Sequence, residues 1–420
     1  ANSTAGANNL IYCSPARSSW ILRGIAKPRS PFIGFMEAFN SIVIHAGSNG
    51  SFYKTTIEFN TQGENKNAVA GLLWKVHLKA PAQIAPQIVL NNESGEKEIF
   101  IEDTLGNVYL ISKSGDVLMT KNIGEKIQGN VRQLDYYHNG QLQYIFNTAS
   151  HIFVIDRTGE DVGGYPLRLS HPANGGMALV GPAPQYQYYF IPCANNAIYG
   201  YEYNGKPLAG WSPRIATGAV LQPLLSCSVG KEFYITANNE QHKLLLFDKK
   251  GAMKWSVQNL PAANQNFSII NQGGDFAFVN ASGNQLLEIN SDGNDNIKPL
   301  IDSACSFSAI NITDTSSVYA YAGSNQIRCY SGNGTFLHAI ALQGVSISGI
   351  HFFDADETQY LLVNDSINNQ IQILTLNLEQ LATWRPTAIN LCTITDLLGP
   401  ENLVGICPSP DATLSCTKLK

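Results

Sequence analysis

The sequence predicts an all-β protein: a β-propeller of four-stranded blades, with eight blades favoured and seven as the alternative. Three observations lead to this prediction: a repeat of nearly constant length, turns rich in Gly and Asn, and a composition rich in aromatic residues but poor in charge. A single four-stranded unit exposes two faces and an edge, so a closed ring of such units is the architecture that buries them.

The repeat is a short apolar run followed by a Gly-containing turn. The first such run is Val108-Tyr109-Leu110-Ile111 and the sixth is Ile327-Arg328-Cys329-Tyr330. The turn glycines follow one another at intervals of 41 to 46 residues, at Gly115, Gly159, Gly205, Gly251, Gly293 and Gly334. Units of about 40–50 residues with four strands each are the size of propeller blades.

Each unit supplies the other strands of a blade. A second strand precedes the apolar run, as at 98–101, a third lies earlier, as at 87–90, and a fourth follows the turn glycine, as at 117–119. The tight turns between strands contain Gly and Asn, which tolerate the positive φ that such hairpins require.

Two further copies complete the ring. The copy at 349–383 has Asn377 where the turn glycine should stand, and a copy upstream uses strands at 40–45, 52–57 and 72–76. We therefore predict an N-terminal extension at 1–31, the propeller at 32–383, and a C-terminal segment at 384–420 that packs on the ring where its first and last blades meet.

Composition narrows the class of partner and the compartment. The net charge is −5 without a basic cluster, which disfavours nucleic acid as a partner. No apolar run is long enough to span a membrane, and the small polar start at 1–9 is typical of a mature end after removal of a signal segment. We expect an extracytoplasmic monomer, in the periplasm or at the cell surface, whose only membrane contact is a possible lipid anchor.

The eight cysteines fall into two groups. Four lie in or beside strands, where Cys commonly acts as a small buried hydrophobe: Cys193, Cys227, Cys305 and Cys329. The other four lie in the terminal segments and could form one or two disulfides: Cys13, Cys392, Cys407 and Cys416. No CxxC pair is present, so a thiolate metal site is not expected.

Two stretches carry a family resemblance. The strings EIFIEDTLGNVYLISKSGDVLMTKNI (98–123) and YIFNTASHIFVIDRTGEDVGGYPLRL (144–169) resemble the repeats of quinoprotein-like (PQQ-type, WD40-like) propellers. The dehydrogenases of that superfamily carry a Trp in most blades and a calcium-bound quinone, whereas this chain has only five Trp. The resemblance is closer to the non-enzymatic propellers of bacterial envelope and surface lipoproteins, which implies a scaffold or binding role without a cofactor.

Propeller geometry predicts where a ligand would bind. Turns between second and third strands share one face with the connections between blades, and six residues are expected there: Asp103, His151, Arg168, His171, Trp211 and Arg214. Trp211 and Arg214 could form a stacking and hydrogen-bonding platform for a sugar or peptide; the alternative is that Trp211 covers a blade edge and Arg214 is solvated.

No catalytic or metal motif is recognised. The acidic stretch at 290–296 coincides with a hairpin turn and lacks the order of a calcium loop, and 354–357 lies between two strands. The leading hypothesis is a non-catalytic propeller that binds a protein, peptide or glycan. The alternatives are a hydrolase or lyase with its site in the central channel and, more remotely, a quinone-dependent dehydrogenase.

Overall fold

The computed structural model describes two compact parts of the chain, the first ending at Asn67 and the second beginning at Ala68. In the first part it describes residues 9–13, 39–48 and 53–61. These form one antiparallel sheet of three strands: β1 (Asn9–Cys13), β2 (Phe39–Ser48) and β3 (Tyr53–Thr61). In the second part it describes 71–419 apart from short gaps, at 182, 187, 212–213, 216–217, 221–223, 230–231, 259, 261–266, 273–274, 314, 324, 356–357, 387–390 and 400–401.

The second part is an eight-bladed β-propeller, which confirms the predicted fold class. Its first outer strand is β4 (Gly71–His77). Blade 1 is formed by β5 (Gln87–Leu90), β6 (Lys97–Glu102), β7 (Asn107–Ile111) and β8 (Val117–Asn122). Blade 2 is formed by β9 (Gln128–Leu134), β10 (Gln143–Asn147), β11 (His151–Ile155) and β12 (Leu167–Arg168). Blade 3 is formed by β13 (Ala178–Val180), β14 (Tyr188–Pro192), β15 (Ala197–Glu202) and β16 (Arg214–Ile215).

The next blades repeat this antiparallel meander. Blade 4 is formed by β17 (Leu225–Val229), β18 (Glu232–Asn238), β19 (Leu244–Asp248) and β20 (Met253–Val257). Blade 5 is formed by β21 (Ser268–Gln272), β22 (Asp275–Asn290) and β23 (Asp295–Ala304). In blade 5, β22 fills the second and third strand positions: its first half pairs with β21 and its second half with β23.

The last three blades complete the ring. Blade 6 is formed by β24 (Ser306–Thr313), β25 (Ser316–Ala322), β26 (Gln326–Ser331) and β27 (Phe336–Ala341). Blade 7 is formed by β28 (Ile347–Ala355), β29 (Thr358–Asp365), β30 (Gln370–Thr375) and β31 (Gln380–Trp384). Blade 8 is formed by β32 (Thr393–Thr395), β33 (Val404–Pro408), β34 (Thr413–Lys418) and β4. Among the described residues there is no α-helix, and so none that could span a membrane.

Blade 8 differs from the sequence prediction. In the separate sheet the strand at 39–48 pairs with both β1 and the strand at 53–61, whereas β4 pairs with β34. The C-terminal segment supplies three strands and so forms most of a blade instead of wrapping the ring. The physical reason is edge protection, because β4 covers the exposed edge of β34 and the ring closes by strand pairing.

The turns after the third strands explain the repeat period. In six blades a turn glycine donates its N–H to the carbonyl three residues earlier, at 2.8 to 3.0 Å, as Gly115 does to Ser112. These glycines have positive φ, from 73° to 91°. In blade 7 the same bond is made by Leu378 to Thr375, with φ 63° at Leu378. The prediction that Asn377 takes the glycine position is therefore wrong by one residue, because Leu378 occupies that backbone conformation.

A side chain from the preceding blade packs on several of these glycines. Trp74 of β4 lies against Gly115, and its indole Nε1 donates to Lys113 O at 2.8 Å. Trp255 of β20 repeats the arrangement on Gly293, donating to Ser291 O at 2.8 Å. The glycines therefore serve both the turn and the packing between blades.

The hydrophobic core is divided into layers between neighbouring blades. Between blades 1 and 2, Phe100 packs against Tyr144 and Phe146, with ring centroids 5.3 and 5.9 Å apart, and all three side chains are fully buried. Between blades 7 and 8, Trp384 and Leu403 lie in one buried cluster. Each blade is thus stabilised mainly by its two neighbours.

Side chains hydrogen-bond the inner strand edges to the next blade. Gln133 of blade 2 accepts from Leu90 N and donates to Leu90 O in blade 1, both at 2.7 Å. In blade 6, Ser308 Oγ accepts from Phe352 N of blade 7 at 2.9 Å. These bonds pair main-chain groups that no neighbouring strand reaches.

Among the described residues, a disulfide between Cys392 and Cys407 joins the connection before blade 8 to β33. Cys416 on β34 is a buried free thiol whose pKa burial raises to about 12. The side chain of Cys13 lies outside the described residues.

Removal of this disulfide is expected to loosen blade 8. Because the bridge spans 15 residues, the double substitution Cys392→Ala/Cys407→Ala should lower the free energy of unfolding by about 2 to 3 kcal/mol. Urea unfolding measures the loss. Dithiothreitol should lower the midpoint of the wild type and of Cys305→Ser, an exposed free cysteine, but not of the double variant. An equal reductant effect on all three proteins would contradict the prediction.

Candidate functional site

The turns between second and third strands lie on the same face as the connections between blades, and this is called the upper face. The opposite face, called the lower face, carries the other two kinds of turn in each blade. Five of the six predicted site residues lie at or beside the upper-face segments of blades 1 to 3, and Trp211 lies just before β16.

Asp103 organises the first upper-face turn. It is fully buried, and its Oδ2 accepts from Tyr109 OH at 2.6 Å and from Asn107 Nδ2 at 2.9 Å. Burial alone would raise its pKa, but hydrogen bonds from Tyr109, Asn107 and Leu105 outweigh that effect and lower it. With its oxygens occupied inside the turn, Asp103 shapes this face and does not present a carboxylate to a ligand.

Glu102, the preceding residue, was not singled out from the sequence. Its side chain is fully buried, and both carboxylate oxygens accept from Ile127 N, at 3.2 and 3.1 Å. Burial raises its pKa to about 7, against smaller opposing effects from Ile127 and Gln83. It links the end of β6 to the start of blade 2.

Glu125, Ser150 and His151 form a polar cluster on the upper face between blades 1 and 2. Ser150 N donates to Glu125 Oε2 at 3.1 Å, and Ser150 Oγ donates to the other carboxylate oxygen. His151 Nδ1 lies 2.7 Å from Ser150 Oγ and 3.4 Å from Glu125 Oε1. Burial would raise the pKa of Glu125, but the hydrogen bonds from Ser150, Thr148 and His151 lower it.

This cluster does not have the geometry of a nucleophilic relay. In a Ser–His–acid triad the serine and the carboxylate contact opposite ring nitrogens of the histidine. One nitrogen receives the serine proton, and the carboxylate at the other nitrogen orients the ring. Here both groups contact Nδ1 of His151. The arrangement holds a turn together and presents a half-exposed imidazole.

Arg168 and His171 extend the surface toward blade 3. Arg168 is exposed and stands opposite His151 in the pairing of β11 with β12. His171 is exposed and stacks on Tyr199, with ring centroids 5.8 Å apart. Tyr199 OH lies 2.9 Å from His171 Nδ1 and accepts from Asn195 Nδ2 at 2.8 Å. The imidazole is held through Nδ1, and the residue is exposed.

Trp211 is not placed as the stacking platform requires. It is 6% exposed, packs against Phe190 at a centroid distance of 4.6 Å, and donates to Ile198 O at 3.1 Å. The reason is packing: the indole fills the layer between blades 3 and 4, where it also contacts Phe247. The backbone of Arg214 pairs with Ile198 in β16, while its side chain lies outside the described residues.

The structure therefore places His151, Arg168 and His171 on one part of the upper face, and adds Glu125, Ser150, Tyr199 and Asn195 to them. Sequence reasoning missed these four, although the same rule about connections and turns would place 125, 150 and 195 on this face. The contact of Tyr199 with His171 could not be read from spacing, because it joins two blades.

The acidic turns do not form a described metal centre. In the part of the chain that the structure describes, no three His, Cys, Asp or Glu side chains come together as a ligand set. Within 290–296, Asn290 Oδ1 accepts from Asp292 N and Asn294 N at 3.2 and 2.9 Å, as a hairpin turn requires. The second stretch, 354–357, lies partly outside the described residues.

The architecture of the second part is that of an eight-bladed β-propeller, and comparison with solved structures agrees. It is similar to BBS1N, solved in complex with ARL6DN (11% identity, 84% of this chain and 98% of that chain, TM-score 0.51). It is similar to BamB from Moraxella catarrhalis (15% identity, 84% and 98%, TM-score 0.50). The computationally designed protein Ika8 is also similar (11% identity, 83% and 99%, TM-score 0.55). No protein-family model and no curated protein matches the sequence.

Proposed function

We propose that this chain is a non-catalytic binding propeller that holds a protein or peptide partner on the upper face of blades 1 to 3, outside the cytoplasm. The observation that carries the proposal is the surface formed by His151, Arg168 and His171, which are exposed or half-exposed and fixed on rigid turns. Arginine and aromatic side chains on a rigid scaffold are enriched where proteins bind one another.

The rigidity of this surface comes from the main chain. Leu169 N donates to Ser150 O at 2.8 Å, and Ala173 N donates to Ala149 O at 2.7 Å, so the turn of blade 2 is tied to the connection that follows it. Side chains held in this way lose little freedom on binding, which favours affinity. Of the structural neighbours, BBS1N was solved in complex with ARL6DN, an example of this fold with a protein partner.

The alternative, a hydrolase or lyase, has weaker support. Glu102 has the raised pKa that a proton-transfer group would need, but it is fully buried and accepts from Ile127 N with both oxygens. The more accessible pair, His151 with Glu125, lacks the relay geometry described above. Support for an enzymatic function would require a measured turnover that the substitution His151→Ala abolishes.

The disulfide Cys392–Cys407 supports the proposed location outside the cytoplasm, because such bonds persist in oxidising compartments and are rare in the cytosol. To test this part of the proposal, source cells are quenched with acid and denatured, and the free thiols of the protein are then alkylated. Two cysteines protected until reduction are expected, and full alkylation without reduction would contradict an extracytoplasmic location.

Site-specific photocrosslinking tests the binding surface. We expect benzoylphenylalanine at Ser170, on the upper face, to give a discrete adduct in source cells, and the same probe at Ser114, in an exposed turn of the lower face, to give none. Purified wild-type protein should compete for the partner. The variant Arg168→Ala/His171→Ala should compete at least tenfold less well, because exposed anchor residues dominate interface energy.

The matched control is Arg385→Ala, an exposed arginine on the connection between blades 7 and 8. It should compete as the wild type does. Equal adducts at Ser170 and Ser114, or equal competition by the double variant, would overturn the proposed surface. An adduct that glycosidase treatment removes would identify a glycan as the partner instead.

A further inference from the structure

A cleft of about 450 Å³ opens on the lower face between blades 4 and 5. Its walls include the aromatic side chains of Tyr234, Trp255 and Phe276, and its charged residues are Asp275, Asp292 and Lys254. Two carboxylates against one ammonium leave this lining with a negative balance. The cleft is separate from the upper-face surface, because it lies on the opposite face and between other blades.

The two carboxylates differ in their surroundings. Asp275 Oδ2 accepts from Ser291 Oγ at 2.5 Å, which fixes that side chain at the mouth of the cleft. Asp292 is exposed, and among the described contacts its carboxylate has no partner. The nearby Glu232 is paired with Lys249 at 2.7 Å, which neutralises the rim beside Tyr234. Asp292 is therefore the carboxylate most available to a ligand.

The aromatic wall is rigid, and one face of the indole is covered. A Cβ placed on Gly293 would lie 2.6 Å from Trp255 Cγ, so the Gly293 backbone covers one face of the ring. Phe278 meets the indole edge to face at 5.8 Å, and Nε1 donates to Ser291 O at 2.8 Å. A sugar ring needs an uncovered aromatic face, whereas the methylene stem of a lysine or arginine needs only an apolar wall.

The negative field acts on the residues around the cleft. Burial raises the pKa of Tyr234, and the charges of Glu232, Asp248 and Asp275 raise it further. Burial likewise raises the pKa of Cys227 to about 12, with a contribution from Asp275. In both groups burial is the larger cause, and the contribution of Asp275 has the sign expected of a nearby negative charge.

We propose that this cleft binds a lysine or arginine side chain of a basic peptide, with Asp275 and Asp292 facing the cationic group and Tyr234, Trp255 and Phe276 contacting its apolar stem. The opposite charges supply attraction and orientation, and the aromatic wall supplies apolar contact. This inference is independent of the upper-face surface.

Fluorescein-labelled tetralysine, followed by fluorescence anisotropy with the full chain, is the probe. Saturable binding is expected, and its acetylated form, which keeps the stems but loses the charges, should not bind. Asp292→Asn should weaken binding about threefold, as expected for one exposed ion pair, and Asp275→Asn/Asp292→Asn at least tenfold. Lys254→Glu should strengthen it about threefold. Asp295→Asn, an exposed carboxylate on β23 outside the lining, should leave it unchanged.

Urea unfolding of each variant shows whether a loss of binding comes from misfolding. Misfolding cannot explain the gain in affinity that is expected of Lys254→Glu. Equal weakening by Asp295→Asn and Asp292→Asn would overturn the proposal in favour of general attraction to an acidic protein. Saturable binding of maltotriose that Asp292→Asn abolishes would overturn it in favour of a sugar. Arg168→Ala/His171→Ala should bind tetralysine normally, which separates this test from that of the proposed function.

Discussion

Substituting Gly293 by alanine should destabilise the propeller by about 2 to 5 kcal/mol. The residue has φ +84°, a left-handed conformation that costs an L-residue about 1 to 2 kcal/mol. The added Cβ would also lie 2.6 Å from Trp255 Cγ, and overpacking of this kind typically costs about 1 to 3 kcal/mol. Because Trp255 is held by its bond to Ser291, it cannot move away without losing that bond.

The measurement is the urea midpoint, with Trp fluorescence as the second probe of the same transition. Gly95→Ala is the matched control, since Gly95 has φ +72° but no atom within 4 Å of the added Cβ. Because this variant carries only the backbone cost, its free energy of unfolding should fall by only about 1 to 2 kcal/mol. If both variants lose the same amount, the contact between Trp255 and the glycine contributes nothing.

Stability should depend on pH through Glu102. Its folded pKa is raised by burial from 4.5 to about 7, so the folded state disfavours the charged form. The stabilisation that the protonated Glu102 carboxyl contributes to the folded state is full below about pH 4.5. It falls as the pH rises and is lost above about pH 7. A shift of this size corresponds to about 3 kcal/mol.

Glu102→Gln should remove this dependence, because an amide keeps an acceptor for Ile127 N and does not ionise. Measured by urea, the unfolding free energy of the wild type should therefore fall by about 2.5 kcal/mol relative to that of the variant between pH 5 and pH 8, since a small part of the loss has already occurred at pH 5. Glu160→Gln, at an exposed carboxylate, is the control. A wild-type profile that stays parallel to that of Glu102→Gln would contradict the prediction.

The repeat period was enough to predict the architecture, because the turn glycine recurs for a local reason. The φ > 0 that follows each third strand selects Gly, so Gly115 through Gly334 mark the blades directly. The exception at Leu378 could not be foreseen, since its side chain is buried in the layer between blades 6 and 7 and packing there outweighs the backbone preference.

Blade 8 and the site were less accessible to sequence reasoning. Strand β32 has only three residues, too few to show alternation, and the pairing of β4 with β34 joins distant parts of the chain. Trp211 follows a Gly in a polar stretch that reads as a surface loop, yet its ring is covered from the neighbouring blade. Contacts that cross between blades leave no periodic trace in the sequence.

The way the ring closes has a consequence for the order of folding. Thr413 Oγ1 and His77 Nδ1 are 3.0 Å apart although 336 residues separate them along the chain. In an unfolded chain, closing a loop of that length costs on the order of 5 kcal/mol of entropy. Hairpins within blades 1 to 7 are local and form without this cost, and each docked blade brings the distant ends nearer. Closure is therefore a late event on the folding pathway, and until β34 meets β4 the nascent protein carries an open edge that a neighbouring molecule could pair with.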